Sequence, residues 1–312
     1  MKAVRYHRYG GSDVLVHEDA ERPVPGEGQV LVRVAATSFN PVDADIRGGF
    51  LSEVFPLTFP HTPGLDVAGT VAELGIGVDG RQVGDAVVAF LPMNADGAAA
   101  EYVLAPAGTL TAAPERAELT DAAALPVGGL TAWQALFDVA GLEAGQSILV
   151  NGAAGAVGGY AVQLAEQAGA VVTATARETS ADRLRDYGAH RVIGYLDHSA
   201  APPAAEGAPF DVVLNLAPTS AEETAALAGL VRDGGALVST TTPPPDDPGR
   251  GIRGARVFVQ SNAGQLAELV SRVDAGRLRI HVADRRPLTE LAAVHDEAAA
   301  GKLPGKTVLI PG

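Results

Sequence analysis

The chain has 312 residues, enough for two domains, and its 47% hydrophobic and 19% charged residues exclude a disordered chain. A surplus of 37 acidic over 23 basic side chains leaves a net charge of −14, which repels phosphate backbones and anionic lipid and so argues against nucleic-acid and membrane partners. The absence of cysteine excludes disulfides, thiolate-bound zinc, iron–sulfur clusters and thiol nucleophiles.

The start, Met1-Lys-Ala-Val-Arg-Tyr-His, has no long apolar stretch after its charges, so no signal peptide is predicted and a cytoplasmic location is expected. Short β-rich runs follow from Gln29, Val67, Ala86 and Glu101, separated by Gly, Asp and Pro; their spacing predicts a barrel-like β domain. From Asp121 to Ala140 the pattern is Ala/Leu-rich and helical, interrupted at Pro126 and Gly128-Gly129.

Beyond it, strands are predicted at 147–150, 170–175, 191–193, 211–215, 236–240 and 256–259. Helices are predicted near 156–168, 180–187, 219–231 and 264–275. Strands alternating with helices of this length build βαβ units, hence an α/β fold with a doubly wound parallel sheet. The proline-rich stretches 201–207 and 241–250 are loops. From Leu278 come a strand, a helix near 289–300 and the strand Thr307-Val-Leu-Ile. Periodicity leaves open whether this segment joins the parallel sheet or the β domain.

The most informative segment is Ser147-Ile-Leu-Val-Asn-Gly-Ala-Ala-Gly-Ala-Val-Gly-Gly. It places glycines at 152, 155 and 158 between a strand and a helix. Gly152 suits a tight turn, Gly155 leaves room for a pyrophosphate, and Gly158 lets helix and strand approach. The free N–H groups at the helix start favour negative charge, so the segment predicts dinucleotide binding. After the next strand, NAD sites carry Asp or Glu for the ribose 2′-hydroxyl. This chain has Thr175-Ala176-Arg177, which suits the 2′-phosphate of NADPH; Glu178, one residue further on, keeps NAD open, and Arg177 as a solvated helix-start charge is the plainer alternative.

Several motifs occur in order: Asn40-Pro-Val-Asp43, Pro63-Gly-Leu-Asp-Val-Ala-Gly69, Gly84-Asp85, Ala122-Ala-Ala-Leu-Pro-Val-Gly-Gly-Leu-Thr-Ala-Trp133, the glycine turn, and Gly305-Lys-Thr-Val-Leu. Together they resemble the zinc-free quinone oxidoreductase (zeta-crystallin-like) branch of the medium-chain dehydrogenase/reductases, over essentially the whole chain. The resemblance implies a GroES-like β-rich catalytic domain, 1–120 completed by 262–312, and a Rossmann domain, 121–261. It implies NADPH as cofactor and hydride transfer to a quinone or an electron-poor double bond. It also implies roles for single residues. Asn40 would approach the nicotinamide or the substrate carbonyl, and Thr131 the nicotinamide side. Gly152, Ala154, Gly155, Ala156 and Val157 would hold the pyrophosphate. Thr175, Arg177 and Tyr195 would surround the adenosine phosphate. Asn215, Ser239 and Thr240 would flank ribose and nicotinamide, Phe258 and Val259 would continue that wall, and Lys306 would close the cofactor edge.

Zinc relatives of this superfamily have Gly-His-Glu where this chain has Gly64-Leu65-Asp66, so no metal is expected, and His61 is read as a loop or wall residue. Many relatives carry tyrosines after the Asn-x-x-Asp motif as suggested proton donors; residues 43–50 here have none. Asp43, Asp45 or water is left to donate, and Asp43 as a helix-start residue bonded to backbone is an equal reading. Asp45 paired with Arg47 at the surface is the plainer reading of that residue. Phe50, Phe55 and His61 are expected at the substrate pocket, with β-domain core as the alternative for the phenylalanines. A second functional class, an NADPH-binding sensor or structural protein without turnover, stays open because of the missing tyrosine. A homodimer through an edge strand at 255–260 is expected, the alternative being that the proline loop covers that edge.

Overall fold

The computed structural model of the chain describes residues 1–200 and 202–312; Ala201, the first residue of the predicted loop 201–207, lies outside the described residues. The chain divides into two compact units, residues 1–127 with 261–312, and residues 128–260.

The first unit opens with an antiparallel pair, β1 (Lys2–Arg5) and β2 (Val16–Asp19). Neither is legible in the sequence, because Lys2-Ala-Val-Arg and Val16-His-Glu-Asp show neither apolar alternation nor an apolar run. The spine of the unit is β3 (Gln29–Ser38), in which Val30, Leu31, Val32, Val34 and Ala36 are buried. It runs into α1 (Pro41–Gly48). Asn40 is the N-cap, Pro41 supplies a preset φ where no amide is needed, and the Asn40 amide donates to Asp43 Oδ2 at 2.8 Å. Gly49 ends the helix at φ 82°, a left-handed conformation that glycine takes without steric penalty.

β4 (Asp66–Leu74), β5 (Ala86–Phe90), β6 (Tyr102–Pro106) and β7 (Leu110–Ala112) complete an antiparallel arrangement around Val32, Val67, Val87, Val103 and Leu110. α2 (Leu119–Ala122) is short. The predicted break falls at Pro126, which opens α3 (Pro126–Trp133), and a π-helical stretch follows over Gln134–Val139.

The second unit alternates β8 (Ser147–Asn151), α4 (Ala156–Gln167), β9 (Val171–Thr175), α5 (Glu178–Asp186), β10 (Arg191–Ile193), β11 (Phe210–Asn215), α6 (Ala221–Ala226), β12 (Val231–Ser239) and β13 (Arg253–Arg256). All pairings in its sheet are parallel, in the order β10-β9-β8-β11-β12-β13. Central strands of such a sheet bury both faces, which is why Ile148, Leu149 and Val150 form a continuous apolar run. The chain reverses direction across the sheet between β8 and β11. That is the switch point where open α/β sheets bind ligands beyond the carboxyl ends of their strands.

The edge strand differs from the expected 255–260. Pairing with β12 spans Arg253–Arg256, and Val257 adds one more amide bond, to Ser239 O at 2.8 Å. The apolar alternation of Val257, Phe258 and Val259 suggested a strand further along. The ladder instead follows backbone fit: a Cβ on Gly254 would meet Pro245 O at 2.4 Å, and Asp246 Oδ1 accepts from the Gly254 amide. The proline loop thus lies against this strand.

The last segment belongs to the first unit. α7 (Ala263–Asp274), β14 (Asp284–Pro287), α8 (Leu291–Ala299) and β15 (Thr307–Ile310) follow, and β15 pairs antiparallel with β3 at Thr37 and Ser38. Periodicity could not make this choice, because either sheet would accept an apolar strand. No helix of the described residues is long and apolar enough to cross a membrane.

Candidate functional site

The glycine turn lies at the carboxyl end of β8. Gly152 has φ 88°, and its amide donates to Thr175 Oγ1 at 2.9 Å. Gly155 is the N-cap of α4 and is exposed, with nothing closer to a would-be Cβ than Gly152 O at 3.5 Å. Gly158 is different: a Cβ there would come within 2.5 Å of Ala153 Cα, so only glycine allows α4 this close to the turn. Arg183 from α5 braces the loop through Ala154 O at 3.0 Å. Ala154, Ala156 and Val157 are half-buried around an open helix N-terminus, an arrangement that fits a dinucleotide pyrophosphate.

Beneath the turn runs a buried polar chain. Thr175 Oγ1 donates to Asn151 Oδ1, Asn151 Nδ2 donates to Asn215 Oδ1, and Asn215 Nδ2 donates to Thr219 Oγ1. Thr175 and Asn215, expected against phosphate and ribose, are both fully buried and spend these groups on one another's supports. Their visible task is to hold the carboxyl ends of β8, β9 and β11 in register. Ser239 is buried too and accepts from the Thr241 amide, while the Thr240 amide donates to Asn215 O. Arg177 is exposed at the N-cap of α5, its guanidinium 5.7 Å from the ring centre of the exposed Tyr195. Thr131 is buried on α3; Phe258, 42% exposed, and the half-buried Val259 follow β13.

In the first unit, Asn40 sits in a buried cluster with Asp66 and Lys306. Lys306 Nζ donates to Asn40 Oδ1 at 2.7 Å, Asp66 Oδ2 at 3.1 Å and Phe39 O at 3.2 Å. Asp66 Oδ2 also accepts from Asn40 Nδ2 at 2.8 Å and from Ser38 Oγ, and its Oδ1 accepts from the Val127 amide at 2.7 Å. The side chains of Lys306 and Asp66 are 4% and 0% exposed. All three ammonium hydrogens are therefore engaged within the unit. Lys306, expected to close a cofactor edge, neutralises Asp66 and fixes the Asn40 carboxamide. Asp66 joins the site from outside the set of expected residues. Its signal was there: an acid opening an apolar strand needs a buried partner.

Asp43 is buried on the first turn of α1, and burial, aided by the Asp66 charge, pushes its carboxyl up to about 7 against the pull of the Asn40 amide and Lys306. His61 is 5% exposed, with Nδ1 3.6 Å from Asp96, and burial holds its imidazole below the usual range. It packs edge-on against Tyr6 at 5.3 Å. Of the phenylalanines expected at the pocket, Phe50 is 81% exposed and Phe55 is half-buried.

Residues 26–115 match the alcohol dehydrogenase GroES-like domain, and residues 187–309 match the zinc-binding dehydrogenase family. The chain is 40% identical over 224 residues to a chloroplast envelope quinone oxidoreductase homolog of Arabidopsis thaliana, covering 70% of this chain and 68% of that one. The quinone oxidoreductase of Coxiella burnetii superposes with a TM-score of 0.88 at 30% identity, over 99% of both chains. A mycobacterial protein complexed with NADPH superposes with a TM-score of 0.84 at 28% identity, over 100% of both chains.

The second family description implies zinc, and the residues present do not fit it. Where zinc relatives have a histidine stands Leu65, Asp66 is saturated by donors, and a buried ammonium stands 3.1 Å from its carboxylate. A cluster whose one carboxylate is already balanced by an ammonium and whose acceptors are taken by donors offers a metal cation no free lone pairs. With its two units, its parallel sheet and its ordered motifs, the chain belongs to the quinone oxidoreductase branch of the medium-chain dehydrogenase/reductase superfamily.

Proposed function

We propose that the chain is an NADPH-dependent, zinc-independent reductase of quinones or α,β-unsaturated carbonyls. The observation that carries the reading is the glycine turn at the switch point of the parallel sheet, with Gly155 open and Gly158 closed against the strand end. A dinucleotide bound there would lay its pyrophosphate on the amides of 154–157, and its reduced nicotinamide supplies a hydride. Arg177, where NAD sites have a carboxylate, supports the 2′-phosphate form, as does the NADPH bound by the mycobacterial neighbour.

Without a metal to hold an alkoxide, alcohol oxidation is disfavoured. Reduction of a quinone or enone needs one hydride and one proton. Asn40, its carboxamide oriented from both ends by Lys306 and Asp66, is the residue we set against the nicotinamide or the substrate carbonyl. Asp43 holds the Asn40 backbone amide in place.

The test is NADPH oxidation with a panel of quinones, enones and enoyl thioesters, repeated after exhaustive chelation. Turnover that survives chelation is expected. Arg177→Ala should weaken NADPH binding by about 1.5–3 kcal/mol and leave NADH unchanged. Equal wild-type affinities for NADH and NADPH would overturn the cofactor assignment, and tight NADPH binding without consumption of any substrate would favour a sensor.

A further inference from the structure

Two buried polar atoms of the first unit have no protein partner among the described residues: the Tyr6 hydroxyl and His295 Nε2. Tyr6 is 0% and His295 2% exposed. Unpaired groups this deep are rare in folded proteins and point to an internal water. Each side chain lines a small cavity with room for about one water molecule, and Asp43 lines both. His61, Thr62 and Leu65 share the first cavity with Tyr6, while Thr37, Ser38 and Leu291 share the second with His295.

The hydrogen-bond polarity of both cavities converges on Asp43. Arg47 Nη1 lies 2.7 Å from His295 Nδ1, and a guanidinium can only donate. His295 Nδ1 is therefore the acceptor, and the ring proton sits on Nε2, the unpaired atom. Burial and the Arg47 charge hold this imidazole down at about 3, so it stays neutral. Tyr6 likewise keeps its proton, since burial raises its hydroxyl far above neutrality. The Asp43 carboxylate takes one bond from the Asn40 amide on Oδ2 and has capacity for more.

We propose that Asp43 is the buried proton store of this unit, joined by one internal water to Tyr6 and by another to His295. Its use in turnover rests on the reductase reading above. Asp43 exchanges its proton with solvent through the water of the Tyr6 cavity: the proton it releases passes to that water and out to bulk, and the carboxylate takes one back by the same route. At that cavity's rim stands His61, 3.6 Å from Asp96, whose side chain is 66% exposed. Asp43 acts on the site through the Asn40 amide and is a positioning group. The charged and titratable groups around the relay are Asp66 and Lys306 on the Asn40 side, Arg47, Tyr9, His61 and Asp96 around Tyr6, and Arg47 and Asp296 around His295. Asp66 and burial favour protonated Asp43, Lys306 and the Asn40 amide favour the carboxylate, and the net position is near neutrality.

The test is a carboxyl carbon-13 titration of aspartate-labelled protein, with Asp43→Asn identifying the resonance. Tyr6→Phe removes one oxygen that no protein group hydrogen-bonds, so the fold should be kept. Loss of a water-borne donor to the carboxylate should raise the Asp43 midpoint by about half to one pH unit. Tyr9→Phe, a nearby hydroxyl outside both cavities, should leave it unmoved. A high-resolution crystal structure should show an ordered water in each cavity, and the first should be lost in Tyr6→Phe. An unmoved midpoint in Tyr6→Phe, or dry cavities in the wild type, would overturn the relay. In the working enzyme the pH limb of kcat should move with the midpoint; a kcat profile indifferent to a moved midpoint would overturn its use in turnover. The titration needs no substrate, so a moved midpoint with no substrate reduced would refute the reductase reading and leave the relay standing.

Discussion

Lys306→Met leaves the Asp66 carboxylate buried without its counter-charge. The side chain removed is 4% exposed and its partner 0%, so water cannot replace the ammonium. Asp66 Oδ2, Asn40 Oδ1 and Phe39 O each lose a donor at 2.7–3.2 Å. Breaking a buried pair by removing one partner costs about 3–5 kcal/mol, a large share of the roughly 5–15 kcal/mol that holds an ordinary domain together. For a unit of this size each kcal/mol is worth about 2–4 °C, so a fall of about 6–20 °C in Tm is expected. Asp66→Asn alone should cost a comparable amount, since it strands the ammonium. The double variant should cost less than the sum by about 1–3 kcal/mol, because no uncompensated charge remains. Far-UV circular dichroism is the suitable probe, since the single tryptophan, Trp133, lies in the other unit. A loss below about 1 kcal/mol for Lys306→Met, or strict additivity in the double variant, would show that the pair is screened as a surface pair is, and would refute the buried-cluster argument.

Gly158→Ala should cost about 1–3 kcal/mol through overpacking, because the backbone atoms within 2.5–2.7 Å of its Cβ cannot swing aside. Gly155→Ala, whose Cβ would rest in ordinary van der Waals contact at 3.5 Å, should keep Tm and lose dinucleotide affinity; equal destabilisation by the two would refute the distinction drawn between these glycines. The Asp43 carboxyl titrates at about 7 when folded against an ordinary 3.8, so the folded state holds the extra proton. Its contribution to stability is therefore present below about pH 4 and declines as pH rises to about 7. Urea midpoints of wild type and Asp43→Asn compared across that window should diverge in the direction that favours the variant at higher pH, and parallel curves would count against the raised carboxyl. A homodimer remains our expectation from the edge position of β13, although Asp246 already occupies one of its outward amides. Light scattering should return twice 31.7 kDa, and a mass of 31.7 kDa would assign the edge to the proline loop alone.

What the amino-acid order determines by itself is whatever depends on near neighbours. The β8–turn–α4 segment was legible because Gly152 and Gly158 answer backbone sterics within seven residues, and the parallel strands because burial on both faces writes an unbroken apolar run. The ordered motifs likewise carried the family. Unpatterned strands escaped: β1 reads Lys-Ala-Val-Arg, β2 reads Val-His-Glu-Asp, and β13 reads Arg-Gly-Ala-Arg with Ala255 its one apolar side chain. The cluster of Asn40, Asp66 and Lys306 was beyond local reading, since Asn40 meets Asp66 across 26 positions and Lys306 across 266. Nothing in the local pattern of Gly305-Lys306-Thr307 says where the ammonium goes. That is settled when β15 pairs with β3, which carries Lys306 beside Asn40 and Asp66 and buries it where only a carboxylate can balance its charge. Tyr6 and His295 are set on either side of Asp43 in the same way, because tertiary packing, which no periodicity encodes, decides which polar atoms are left facing a cavity.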